Sequence, residues 1–164
     1  MTAMPEAAAL LPIPDGLAVP GLDDRPYEAL LAVADLLPGA LRRVTRGDLD
    51  LLLAHTPAGI CLIDDRCPHM AAPLSLGTLD DCLVACPLHR GRFDLASGEV
   101  VQFPTTGGLD ADGGYHAPWQ PEAGTPRPEP TDLKAQARAA TRVRRLRYYP
   151  LRINAGMIEA RLPG

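Results

Sequence analysis

The chain has 164 residues, enough for one domain with a modest core and some appended sequence. Its formal charge of −4 has the wrong sign for a dedicated nucleic-acid binder, whose affinity rests on cationic phosphate contacts. Eighteen prolines and 15 glycines favour turns and short strands over a helix bundle, and no stretch approaches the roughly 20 apolar residues that span a bilayer.

Residues 1–25 are Ala/Pro-rich, weakly acidic and aperiodic. They are expected to form a disordered or loosely packed tail ahead of one domain over 26–164. Arg25 is the first basic residue, so the short apolar stretch before it lacks the basic start of a secretory signal, and a cytoplasmic location is expected. In that reducing compartment four cysteines point to metal or redox chemistry over disulfides. Between Asp24 and Gly39 the local signals conflict. Asp24 as N-cap and Gly39 as stop fit a short helix, while a strand followed by a turn fits as well.

From Leu41 the pattern is β. Strands are expected over 41–46, 49–55 and 60–63, with turns at Gly47-Asp48 and Pro57-Ala58-Gly59, the last two strands pairing as a hairpin. Residues 82–85 and 100–103 are further short strands, and this spacing suggests a small antiparallel sandwich or barrel. Residues 104–130 are Gly/Pro-rich and read as a long exposed loop with scattered aromatics. A helix is expected over 131–143, capped by Thr131 or Asp132. Residues 144–151 and 157–162 form a closing hairpin around Asn154-Ala155-Gly156. Segment 104–143 thus stands as an insertion, and 131–152 carries seven basic residues against Asp132 alone.

The chemistry lies in two short motifs. Cys67-Pro68-His69 and Cys86-Pro87-Leu88-His89 are separated by 16 residues, and each can aim one thiolate and one imidazole at a common point. Pro68 and Pro87 fix φ and remove competing amide donors. Two Cys with two His match a [2Fe–2S] centre in which one iron takes sulfur and the other nitrogen. A Cys₂His₂ zinc site is the competing metal reading, but zinc fingers place the Cys pair first and the His pair last around a helix. The third possibility is four unrelated loop and core residues, Cys often being a small buried hydrophobe.

The segment resembles the Rieske family, whose pattern is Cys-x-His followed, after some 15–17 or more residues, by Cys-x-x-His. The match extends to Ala72-Pro73-Leu74-Ser75 and Gly77, to Phe93-Asp94 with Ser97-Gly98-Glu99, to the stretch from Asp35 to Gly39, and to Tyr149-Pro150-Leu151-Arg152-Ile153. It covers roughly 27–106 and 145–163. The resemblance implies an all-β fold of three stacked antiparallel sheets, with the two cluster loops at one tip, and a strand over 29–33. It also implies one [2Fe–2S] cluster per chain. Cys67 and Cys86 would bind an inner iron that stays ferric, and His69 and His89 an outer iron that cycles, their outer nitrogens reaching solvent as the electron exit.

Departures from the pattern place the chain within that family. High-potential respiratory members carry an extra Cys in each loop, joined as a disulfide; the corresponding positions hold Ala72 and Leu88. Their Ser and Tyr hydroxyl donors to sulfur correspond to Gly91 and Phe93. Lacking these, the centre should have a low potential, as in soluble ferredoxins and oxygenase Rieske domains. Cys61 and Cys82 read as ordinary small strand residues. Arg90 stands where the family usually has Gly.

A Rieske oxygenase also needs a mononuclear iron held by two His and a carboxylate. Only His55 and His116 remain for it, so catalysis within this chain is not expected. The leading function is therefore a soluble electron carrier between a flavin-dependent reductase and a terminal oxygenase or related oxidoreductase. A non-catalytic small subunit of a nitrite-reductase-like assembly and a redox-responsive interaction module are the alternatives. Arg142, Arg144 and Arg145 are candidates for docking an acidic partner.

Overall fold

The computed structural model describes residues 8–119, 133, 136–137 and 140–164. Three antiparallel sheets form the body. β2 (Leu41–Arg46), β3 (Leu49–Thr56) and β4 (Gly59–Asp64) make the middle one in the order β2-β3-β4. β1 (Tyr27–Ala32) pairs with β12 (Met157–Arg161), which pairs with β11 (Leu151–Asn154). β5 (Thr78–Asp80), β6 (Leu83–Ala85), β7 (Arg92–Asp94) and β8 (Val100–Gln102) form a four-stranded meander. A two-stranded pair, β9 (Gly108–Leu109) and β10 (Tyr115–His116), is added in the segment that follows.

The middle sheet is buried on both faces, which explains the unbroken Leu51-Leu52-Leu53-Ala54 run in β3. Leu52, Ala54, Cys61 and Ile63 pack into the core under the meander, with Val84, Phe93 and Tyr148. Leu51, Leu53, Ile60 and Leu62 pack into a second core with Ile158, Ala160 and Tyr149. A strand covered on both sides has no reason to alternate polar and apolar residues.

The conflict at 24–39 resolves as strand, then turn: β1 is followed by a single 3₁₀ turn over Val33–Asp35. Pairing with β12, from Tyr27↔Arg161 to Ala32↔Met157, overrides the helical propensity of Ala and Leu. The closing hairpin turns through Ala155 and Gly156, both at positive φ, with Asn154 opposite Met157.

Four expectations need correction. Residues 8–25 are not a loose tail. Leu11 and Leu22 are buried, Leu10 bridges Ile60 in parallel, and the Val19 amide donates to the Tyr148 carbonyl at 2.9 Å. Residues 144–150 do not form one strand, because their backbone groups bond outward to Pro68, Gly98, Asp64, Leu17 and Leu62 in turn. The predicted helix does not extend to 143. Arg142 bridges Leu109, and the Val143 amide donates to the Leu109 carbonyl at 2.7 Å. Leu133, Gln136 and Ala137 have helical backbone; the other positions from 120 to 139 lie outside the described residues.

Nor are residues 104–119 a loose loop. His116 stacks on Phe103 at 3.6 Å between ring centroids and pairs with Asp110 at 3.0 Å. The Trp119 indole N–H donates to the Phe103 carbonyl, and its amide donates to Thr105 at 3.1 Å.

Candidate metal centre

Each motif sits where a strand ends and the chain must turn back. The first follows β4; the second is the connection between β6 and β7, whose last pair is Ala85↔Arg92. The two loops share one backbone design. In the first, the Cys67 amide donates to the Ala72 carbonyl and the Ala71 amide to the Cys67 carbonyl, with Ala71 at φ 59°. In the second, the Cys86 amide donates to the Gly91 carbonyl and the Arg90 amide to the Cys86 carbonyl, with Arg90 at φ 60°. The left-handed conformation explains why a glycine suits position 90. Arg90 occupies it at a cost of roughly 1–2 kcal/mol, and the loop geometry is kept.

This design turns amides toward sulfur. The His69 and Met70 amides face Cys67, and the Leu88 and His89 amides face Cys86. The two thiols also touch. The Cys67 S–H bonds to the Cys86 sulfur, which, with the Leu88 and His89 amides, holds the Cys86 thiol at about 6 against the opposing effect of burial. The same bond, with burial, pushes Cys67 far up.

The two imidazoles meet edge to face, 5.1 Å between centroids. Both Cys67 and Cys86 are buried, and His69 is only 7% exposed. Burial, and secondarily the charge of His89, lowers His69 to about 4, so its ring is neutral at ordinary pH. Its Nδ1 is buried with no hydrogen-bond partner, while Nε2 lies 3.3 Å from the Thr106 hydroxyl. An orphaned, neutral, inward nitrogen beside a thiolate-forming pair is what a metal ligand requires. Among the described residues, no three His, Cys, Asp or Glu side chains are arranged to hold a single metal ion. The donors come instead as a sulfur pair and an imidazole pair. A two-iron cluster takes one such pair at each end. The residues present fit the cluster.

Further contacts support the loops, two of them at Ser75 and Gly77, which belong to the Rieske-like pattern. Buried Asp65 accepts from the Ser75 amide at 2.7 Å and from the Ser75 hydroxyl at 2.6 Å, tying the start of the first loop to its end. At Gly77, an added Cβ would lie 1.8 Å from the Ala85 carbonyl oxygen. The Thr105 amide donates to the His89 carbonyl, and the Arg144 amide to Pro68.

Other singled-out residues fall elsewhere. His55 Nδ1 is hydrogen-bonded to the Leu36 carbonyl, a structural contact beneath the middle sheet. Cys61 is buried on β4 with its thiol pushed up to about 12 by burial and then by Cys82, which occupies a turn. Arg144 and Arg145 line a groove beside His69, with Arg66, Met70 and Arg147. Arg145 pairs with Glu99 at 3.1 Å; Arg142 and Arg144 form no ion pair among the described residues.

The family model of the Rieske [2Fe-2S] domain matches residues 27–112, more than half the chain. The chain belongs to the Rieske [2Fe–2S] domain family, and its cofactor is a [2Fe–2S] cluster. Within the family it resembles ferredoxins. It is 36% identical over 76 residues to the ferredoxin component of the naphthalene 1,2-dioxygenase system of Pseudomonas putida, covering 46% of this chain and 73% of that one. It is 37% identical over 76 residues to Ferredoxin CarAc of Metapseudomonas resinovorans, covering 46% and 71%. The fold matches the ferredoxin of carbazole 1,9a-dioxygenase from Nocardioides aromaticivorans IC177 with a TM-score of 0.55 at 16% identity, over 84% of this chain and 98% of that one.

Proposed function

We propose that Cys67, His69, Cys86 and His89 hold the cluster and that the chain carries single electrons from a flavin-dependent reductase to a terminal oxygenase or related oxidoreductase. The unpartnered Nδ1 of buried His69, on the same short loop as Cys67, carries the ligand assignment. The bound cluster supplies a one-electron couple. The protein's own part is to present two thiolates and two imidazoles, satisfy the sulfurs with four amides, and keep water from the Cys side. Cytoplasmic operation belongs to the same reading; no helix among the described residues is long and apolar enough to cross a membrane.

The assignment predicts two irons and two acid-labile sulfides per chain, with a rhombic Rieske-type EPR signal on reduction. His69→Cys and His89→Cys should each lose that signature, because imidazole ligation defines it. Stoichiometric zinc without sulfide would end the assignment.

For docking, Arg144 and Arg66 line the groove beside His69 and form no ion pair among the described residues, Asp50 lying within electrostatic range of Arg66, and Arg142 lies further along the same segment. Arg145 is partly committed to Glu99. Arg66→Gln with Arg144→Gln should slow electron transfer several-fold at low salt, and Arg145→Gln less. The difference should vanish as ionic strength rises, since screening removes long-range steering. Equal rates at low salt would remove these arginines from the interface.

One comparison favours a second reading. The chain is 34% identical over 92 residues to human Apoptosis-inducing factor 3 but covers only 15% of that protein. A domain of this kind also occurs within a longer chain, which suits a fixed module of a larger protein. Co-purification in a stable stoichiometric complex would support that reading over a diffusing carrier.

A further inference from the structure

The added segment reaches both candidate histidine ligands. Its Thr105 amide donates to the His89 carbonyl at 2.8 Å, and the next residue places its hydroxyl 3.3 Å from His69 Nε2. His69 is consequently only 7% exposed, although the resemblance implied that its outer nitrogen would reach solvent.

The hydroxyl is presented by a fixed scaffold. Before it, the Trp119 amide bonds to the Thr105 carbonyl; after it, the Gly107 amide bonds to the Pro104 carbonyl at 2.8 Å. Gly107 and Gly108 press on backbone, an added Cβ meeting the His116 carbonyl oxygen at 2.4 Å and that of Thr141 at 2.5 Å. Only glycine allows such close approach at these positive φ values.

We propose that Thr106 is a positioning residue for the His69 ligand: its hydroxyl accepts the Nε2–H, fixes the ring, and lowers the reduction potential of the cluster. The inference rests on the ligand assignment above. A neutral imidazole binding iron through Nδ1 must carry its proton on Nε2. That N–H therefore donates, and the Thr106 oxygen accepts. An acceptor at the outer nitrogen fixes ring orientation and raises the basicity of the ligand nitrogen. A more basic ligand favours the ferric state, so reduction becomes harder.

Thr106→Val keeps the shape and removes the acceptor, and Thr106→Ser keeps the acceptor. In the cluster-loaded protein, valine should favour reduction by threefold to tenfold in equilibrium constant, an upward shift of roughly 30–60 mV. Pulsed EPR should show a changed remote-nitrogen coupling for one histidine only. Serine should restore both values, with iron and sulfide content constant across the set. Thr106→Ala provides a second route, with the same upward shift expected, should valine disturb the segment.

An unchanged or lowered potential with unchanged nitrogen coupling, in protein that retains its Rieske signal, would overturn the role of Thr106 and leave the ligand assignment standing. A wild-type protein without a Rieske signal would overturn both.

Discussion

Alanine at position 77 is expected to abolish most cluster incorporation and to destabilise the fold by at least about 3 kcal/mol, beyond the usual range for a single added methyl group. Gly77 does not sit at positive φ, so the cause is not backbone strain but contact. Its Cβ would lie 1.8 Å from the Ala85 oxygen, 3.0 Å from the Ala85 carbonyl carbon and 3.2 Å from the Leu74 oxygen. All three are backbone atoms, which no rotamer change can move aside. Relief requires parting β5 from β6, starting at the Thr78↔Ala85 pair. Ala85 directly precedes Cys86, so the shift passes straight to a sulfur that must meet Cys67. Iron and sulfide per chain, with a urea midpoint on the same samples, measure both effects. Gly156→Ala is the control for iron content alone: nothing lies within 4 Å of its Cβ and it sits far along the chain from the loops, so it should keep wild-type iron while its φ of 77° costs some stability through backbone strain. Wild-type iron content in Gly77→Ala would show that the loops are not set by this contact.

The candidate metal centre was legible because its signal is local. Two prolines, two thiols and two imidazoles lie in two windows of a few residues, and each window folds by bonds within itself, such as Cys67 to Ala72 and Cys86 to Gly91. Strand β2 was legible for a similar reason, being bounded by Gly39-Ala40 and Gly47-Asp48 turns. What escaped depends on distant partners. Leu11 and Leu22 look like isolated apolar residues in a Pro-rich tail, and only Ile60 and Tyr148 reveal why that tail is held. Residues 144–150 have strand composition, but their backbone bonds are shared out among separate segments, from Pro68 and Gly98 to Leu17, Val19 and Leu62, so no ladder forms. Thr106 carries no motif at all; its contact with His69 spans 37 residues and depends on two glycines packed against the distant backbone of His116 and Thr141.

The second large effect is on potential. Wild-type protein should titrate well below 0 mV, on the order of −150 mV, the low end of the Rieske range. The reason lies in what faces the sulfurs. Backbone amides of His69, Met70, Leu88 and His89 do so, but positions 91 and 93 hold Gly and Phe, with no hydroxyl to add. A hydrogen bond to a charged group contributes roughly 1.5–3 kcal/mol, and one electron gains tenfold per 59 mV. Each added donor that reaches sulfur should therefore raise the midpoint by roughly 60–130 mV. Gly91→Ser is the more direct test. Its Cβ would lie 3.3 Å from Phe93 Cζ and from Pro104 Cγ, so these side chains must yield by a few tenths of an ångström. Phe93→Tyr would put its hydroxyl on that same Cζ, in a fully buried ring. The two new groups thus compete for one space, and the double variant should gain less than the sum of the singles. Additive shifts would show that the hydroxyls approach the cluster by separate paths. A wild-type midpoint near the top of the range, about +300 mV, would show that the amides alone supply what the hydroxyls give elsewhere, and would remove this chain from the low-potential branch.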